Sequence, residues 1–355
     1  MNSKMQREPV HVSLSCPLAA APSDQIQLAH GEGGRLMRNL LREHIAPALG
    51  LNPQWDDAAS CDLGASQLAI TTDSFVVSPV FFPGGDIGSL AVYGTVNDLA
   101  VSGAQPLWLT LSLILEEGLP LATLEQILIS VRQAAAACQV ALVAGDTKVV
   151  PHGAVDKIFV NTTGVGQVLH PGGLGCARIS AGDALLVSGS IAQHGIAVLA
   201  ARENLQLSPA PISDSAPLHR TCQRLQHALG GQLHAMRDAT RGGVSAVMHE
   251  WALATGKTMQ LIENLIPVTP IIRGACELLG LDPLYVANEG LFVAAVAASA
   301  AEQALTTLQQ QCGCHDARII GQVVDRQPAP VIIQRLLGNW QSLDEPAGAP
   351  LPRIC

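Results

Sequence analysis

The chain has 355 residues, 48% of them apolar and only 14% charged, with a formal net charge of −9. Mean hydropathy is positive, so there is apolar material for two domains and for a further interface, most simply that of a homodimer. Lys and Arg are scattered without an aromatic-interleaved stripe, and no apolar run reaches bilayer length, which argues against nucleic-acid and membrane partners.

Residues 1–24 are expected to form a disordered extension. Their short apolar stretch before Cys16 contains His11 and lacks a signal-peptide pattern. The nine cysteines are odd in number and widely spaced, which suits thiols in a reducing cytoplasm. Cys312-Gly313-Cys314-His315 gathers three soft donors, but its spacing fits neither CxxC nor CxxCH.

Ordered structure is expected from Gln25. Gly31-Glu32-Gly33-Gly34 precedes a helical pattern with Leu36, Met37, Leu40 and Leu41 on one side. Leu68–Thr72 reads as a buried strand ending at Asp73, followed by a Pro/Gly loop to Gly88. Ser89–Ser102 reads as an apolar helix carrying Asn97-Asp98, Leu107–Leu115 as a strand and Leu121–Cys138 as a helix. Val140–Ala144 reads as a strand ending at Gly145-Asp146-Thr147, and Lys157–Gly166 as another. Pro171-Gly172-Gly173 marks a domain boundary. Beyond it come a strand at Asp183–Ser188, a helix at Gly195–Ala201 and a Pro-rich loop at Ser208–Pro217. Arg241-Gly242-Gly243 opens a helix to Ala254, and Asn288-Glu289-Gly290 precedes a strand. The expected organisation is an α/β (α+β) chain with domains at 25–170 and 171–340 and a mobile, Pro-rich tail at 341–355.

Asp57, Asp73, Asp98, Asp146 and Asp238 share a setting. Most lie where an apolar element meets a Gly- or Thr-rich turn. A carboxylate there is costly without a partner, and basic residues are too few to serve all five. Magnesium, with one or two carboxylates and phosphate oxygens, would satisfy them. Any one of them alone is ordinarily a turn or N-cap residue. Three Gly-rich segments that open helices (around Gly33 and Gly34, at Gly84-Gly85, and at Arg241-Gly242-Gly243) offer backbone N–H groups to phosphate. Gly256-Lys257-Thr258 lacks the first glycine of a Walker A loop, and neither HExxH nor GxSxG occurs.

Further motifs stand in a specific order. They are Thr71-Thr72-Asp73, Phe81-Phe82-Pro83-Gly84-Gly85-Asp86, Asn97-Asp98, Gly145-Asp146-Thr147-Lys148, Arg237-Asp238-Ala239-Thr240-Arg241-Gly242-Gly243, Ala287-Asn288-Glu289-Gly290 and a terminal Pro352-Arg353-Ile354-Cys355. From about residue 25 to 355 the chain resembles the nickel–iron hydrogenase maturation proteins of the aminoimidazole ribonucleotide synthetase and selenophosphate synthetase superfamily. The resemblance implies a two-domain PurM-like fold, a dimer formed through the N-terminal domain, and ATP beside the Gly-rich segment. It implies magnesium ligands at Asp57, Asp73, Asp98 and Asp238, with Asp146 sharing the site. Gly33, Gly34, Asn97, Thr147, Arg241 and Gly242 become nucleotide contacts.

By the same resemblance, Cys355 receives a carbamoyl group from a carbamoyltransferase partner. ATP then drives loss of water to a thiocyanate, with Glu289 or Lys148 as general base. The cyanide passes to iron on a maturation scaffold complex. His30, His152 and His194 carry no assignment. Two alternatives stand beside this reading. One is another ATP enzyme of the fold, a selenophosphate synthetase or thiamine-phosphate kinase, against which His30–Gly34 contains no Cys. The other is a metal carrier using Cys355, Cys312 and Cys314.

Overall fold

The computed structural model describes residues 34–40, 42–43, 59–62, 67–170, 174–346, 351 and 353–355. In chain order the first half contains α1 (Gly34–Leu40), β1 (Ala59–Asp62), β2 (Gln67–Phe75), β3 (Phe81–Phe82), β4 (Gly85–Asp86) and α2 (Ile87–Val101). It continues with β5 (Ala104–Glu116), α3 (Leu121–Cys138), β6 (Ala141–Val150) and β7 (Ile158–Val168). Five strands form one sheet in the order β1-β2-β7-β5-β6. Its one parallel pair, β5 with β6, is joined through α3, as a parallel pair requires a crossover.

Helix α2 is the centre of the molecule. Asp86 caps it by accepting from the N–H groups of Gly88 and Ser89, and Ser89 closes the capping box. Leu90, Ala91, Val92, Val96 and Leu99 are fully buried and lie all round the helix. A helix that is apolar on every side must be covered on every side. The sheet and α3 cover it in the first half, and elements of the second half cover the rest.

The second half runs β8 (Ala184–Val187), α4 (Gln193–Arg202), α5 (His219–Leu229), β9 (Leu233–Asp238), α6 (Gly243–Thr255), β10 (Thr258–Ile262) and α7 (Pro270–Leu279). Then come β11 (Phe292–Val296), α8 (Ala301–Thr306), β12 (Arg318–Val324), β13 (Val331–Gln334) and β14 (Trp340–Ser342). These strands form a seven-stranded sheet in the order β14-β13-β10-β12-β8-β11-β9. Every residue of β8 and β11 is buried, so their apolar runs are covered on both faces.

Three differences from the sequence reading bear on function. The strand expected to stop at Ala144 runs on to Val150, because β5 pairs with it as far as Glu116. Gly145-Asp146-Thr147-Lys148 therefore lies inside a strand. The tail expected to be mobile from Gln341 begins inside the second sheet, where Gln341 and Ser342 pair with β13, and Leu343 is buried. Its last described residues are docked as well, as detailed below. The boundary segment at 171–173 lies outside the described residues.

Candidate active site

The site lies where the first sheet, α2 and the second sheet meet. In β2, alternate residues face α2, and Thr71 Oγ1 donates to Asp98 Oδ2 of α2 at 2.7 Å. Asp73 is on the same face as Thr71, two residues on. Asp238 ends β9, is buried, and pairs in register with Phe292 of β11, just after the loop that carries Glu289.

Glu289 is the hub. It is 3% exposed, and its Oε1 has no hydrogen-bond partner. Burial raises its pKa well above the usual carboxylate range, and the negative neighbours Asp238, Asp214 and Asp73 add to the rise, while Arg241 opposes it. Burial and these negative neighbours bias the carboxyl toward its protonated form.

The loop around Glu289 is held by two residues with different origins in the sequence. Asn97 is 1% exposed; its amide donates to the carbonyls of Ala216 and Glu289, and its Oδ1 accepts from Leu218 N–H at 2.8 Å. Both amide protons are used within the fold, and Asn97 acts as a clamp between α2 and two loops. Asn97→Ala should lower unfolding free energy by about 3 kcal/mol, since it leaves buried backbone groups unpaired; urea denaturation would measure it. Asp214 was not anticipated. Its carboxylate accepts the backbone N–H groups of Glu289 and Gly290. Desolvation pushes its pKa up to about 6 despite these bonds. A Cβ on Gly290 would stand 1.8 Å from the Asp214 carbonyl, so only glycine permits this approach.

The chain terminus docks beside the end of β2 and against α4. Val76 N–H donates to the Cys355 carbonyl at 3.1 Å and Ser78 N–H to that of Arg353 at 3.3 Å, an antiparallel addition beyond β2. Arg202 Nη2 donates to the Arg353 carbonyl, and the Arg353 guanidinium pairs with Asp156 at 3.0 Å. Ile354 is 3% exposed, and Cys355 is half-buried against the main core. The carbonyl of Ile354 accepts from His194 Nε2 at 2.9 Å. Because a carbonyl only accepts, Nε2 carries the proton, and Nδ1 accepts from Ser213 Oγ at 2.8 Å. His194 is fully buried, and its pKa is lowered to about 4 by desolvation, so the ring is neutral.

The Gly-rich segments divide. Gly33 and Asp57 lie outside the described residues. Gly34 opens α1 at a φ of +76°, but the carbonyl of Pro346 fills its cradle, accepting from Arg35 N–H at 3.0 Å. A Cβ on Gly34 would lie 2.3 Å from that oxygen. Glu345 pairs with Arg38 of the same helix. In this structure Gly34 thus receives the segment around Pro346. Gly242 caps α6 with no side-chain cap on its N–H groups, and the neighbouring Arg241 is exposed. This end of α6 can accept an anion.

Asp146, Thr147 and Lys148 are not brought to Glu289 within one chain. Register runs Ser74–Asn161–Ser112–Asp146 across the first sheet, so Asp146 shares a face with Ser74, opposite to that of Asp73. Lys148, two residues on, lies on that outer face too, paired with Asp146 at 3.2 Å and exposed to solvent. Outer-face neighbours Ile70, Trp108 and Ile114 are also exposed. Among the described residues no three His, Cys, Asp or Glu side chains stand close enough to hold a metal ion by themselves. Asp73 and Asp238 lie near enough to Glu289 to act on its charge, and Asp98 is held by Thr71.

Residues 55–168 match the family model of the AIR synthase related protein N-terminal domain, and residues 180–333 that of its C-terminal domain. The fold is therefore that of the AIR-synthase-related, PurM-like proteins. Carbamoyl dehydratase HypE of Escherichia coli is 47% identical over 340 residues, covering 94% of this chain and all of that protein. A solved structure of hydrogenase maturation protein HypE in complex with ATP is 39% identical at a TM-score of 0.77, covering 93% of this chain and all of that one. The structure of a HypE–HypF complex matches at 41% identity and a TM-score of 0.80, covering 86% of this chain and 99% of the matched chain. The chain belongs to the HypE carbamoyl dehydratase family.

Proposed function

We propose that this chain removes water from a carbamoyl group carried on its own Cys355, using ATP, and so makes the thiocyanate that supplies cyanide to a nickel–iron hydrogenase. The observation that carries this reading is the docking of the C-terminal segment, Cys355 on Val76 and Ile354 on His194, beside Gly195, whose N–H donates to the carbonyl of Ala287 next to the loop that holds Glu289. An S-carbamoyl group is a thiocarboxamide, S–C(=O)–NH2, whose oxygen leaves poorly. The carbamoyl oxygen attacks the γ-phosphorus of ATP, ADP departs, and the nitrogen loses one proton. Its second proton then goes to a base as phosphate leaves with the oxygen, giving S–C≡N. Glu289 is the base in this reading, once its neighbours are neutralised.

Asp73, Asp98 and Asp238 would hold magnesium, with Asp57 a fourth ligand implied by the family motif. Magnesium there offsets the charge on the transferring phosphoryl group. Arg241 and the α6 N-terminus after Gly242 would bind phosphate oxygens, as the ATP complex of a relative supports. The carbamoyl donor is a transferase partner, which the HypE–HypF complex of a relative supports. The twelve residues that follow the buried anchor Leu343 end at Cys355. Undocked, they span up to about 40 Å, enough to reach a partner's active site and then an iron-bearing scaffold complex. None of the seven cysteines with described side chains is in a disulfide, which suits action in the cytoplasm. Burial raises the thiols of Cys312 and Cys314, the latter to about 11, which disfavours the metal-carrier alternative.

A homodimer completes the site in this reading. Outer-face residues Ile70, Trp108 and Ile114 and the unpaired edge of β6 await a cover. A second copy packed there carries Asp146, Thr147 and Lys148 toward its neighbour's cleft. Asp98→Asn and Asp146→Asn should each abolish magnesium-dependent ATP turnover. Mixed in equal amounts and allowed to exchange, they should regain about a quarter of the parental rate, because half of the dimers are mixed and each has one intact site. No recovery on mixing would place Asp146 in its own chain's site.

The route of the oxygen tests the chemistry. With heavy oxygen in the carbamoyl group, the label should appear in inorganic phosphate. Label released in water would exclude phosphorylation of the carbamoyl oxygen.

A further inference from the structure

His194 does two things at once. Its ring donates Nε2–H to the carbonyl of Ile354, the residue before Cys355. Its other ring nitrogen meets Ser213, and the next residue, Asp214, takes the N–H groups of Glu289 and Gly290 with its carboxylate. The tail and the Glu289 loop are thus joined through His194, Ser213 and Asp214. The ring itself is fixed on its other sides. Ser213 Oγ–H meets Nδ1 at 2.8 Å, and Phe82 packs edge-on against it with centroids 5.3 Å apart. Ser213 is in turn held by Ser215 N–H at 3.0 Å.

We propose that His194 is the positioning residue that recognises the docked tail and sets the register between Cys355 and Glu289. This rests on the reading that Cys355 carries the reacting group. Recognition is of a backbone carbonyl, so it does not depend on which side chain that residue bears. With Ile354 O on His194 and Cys355 O on Val76 N–H, the last residue is pinned on both sides. The cysteine side chain can then project in one direction only. The bond is buried and made by a neutral ring, so salt does not screen it. The Arg353–Asp156 pair is half-exposed and carries the salt-sensitive part of docking. Losing the His194 contact leaves a buried carbonyl unpaired and should shift the docked-to-undocked ratio about tenfold toward undocked.

The test uses full-length protein carrying His194→Ala, His194→Gln or Ser213→Ala. Each is pulsed with iodoacetamide, and the C-terminal peptide is followed by mass spectrometry. His194→Ala should alkylate at Cys355 about tenfold faster than the parent. His194→Gln, whose amide can still donate to Ile354, should stay within about twofold. The buried thiols of Cys222 and Cys276 serve as controls, because general loosening would expose them too. Single-turnover dehydration by His194→Ala should fall in the same ratio with ATP affinity unchanged. Parental alkylation and dehydration rates in a folded His194→Ala protein would overturn the proposal. If that variant does not fold, Ser213→Ala, which frees the ring's tautomer and orientation, decides by the same two measurements. If the parent itself never makes thiocyanate, the carbamoyl reading fails, while the alkylation rates still decide whether His194 holds the tail.

Discussion

With serine at position 355 the chain should make no thiocyanate, a loss of at least about a thousandfold, while binding ATP as the parent does. A serine hydroxyl is a far weaker nucleophile toward a carbamoyl donor than a thiolate. The change leaves the docked backbone untouched, since the Val76 and His194 bonds run to carbonyls and not to the sulfur. Cys355→Ser therefore separates chemistry from docking, which deletion of the residue would not. Mass spectrometry of the variant after exposure to the transferase and carbamoyl phosphate would read it directly. A carbamoyl adduct elsewhere, followed by its dehydration, would remove Cys355 from the reaction.

Glu289→Gln should slow dehydration by about 10² to 10⁴ with ATP affinity little changed. The substitution keeps shape and buried polarity but removes the proton acceptor. It carries a second, opposite effect on stability. Glu289 has a raised pKa in the fold, so the unfolded chain sheds this proton at lower pH than the folded chain does. Its ionisation therefore costs stability as pH rises above the unfolded carboxyl's range. Glutamine lacks that penalty, so the inactive variant should be at least as stable as the parent at pH 8. Thermal melts at pH 5 and pH 8 would show the gap between the two proteins widening with pH. Parental turnover in Glu289→Gln would exclude it as the base and leave Lys148, supplied from a second copy, as the alternative.

Much of the cleft was legible because carboxylates on apolar elements are conspicuous. Asp73 in β2, Asp98 in α2 and Asp238 at the end of β9 each stand on an element with a buried apolar face. Asp214 gave no such signal. It sits in a loop rich in Ser and Pro, where an aspartate is ordinary, and only the fold carries it onto Glu289. His194 was visible but unassignable, because its partner Ile354 is 160 residues away in sequence. The side of the sheet on which Asp146 lies was hidden for another reason. Whether Asp146 and Asp73 share a face depends on register across three strand pairs, and a shift of one residue in any of them reverses the answer. The docked tail was obscured by composition. Three prolines after Gln341 suggest an extended, mobile segment, yet Leu343, Leu351 and Ile354 supply buried anchors at intervals along it.

The most direct test is the intact mass of the protein after incubation with its transferase partner and carbamoyl phosphate, taken before and after addition of MgATP. A carbamoyl adduct on the C-terminal peptide should form first, then lose one water only when MgATP is present. An adduct that survives MgATP unchanged, while ATP is consumed on another substrate, would contradict dehydration at Cys355 and leave the fold with a different synthetase or kinase activity.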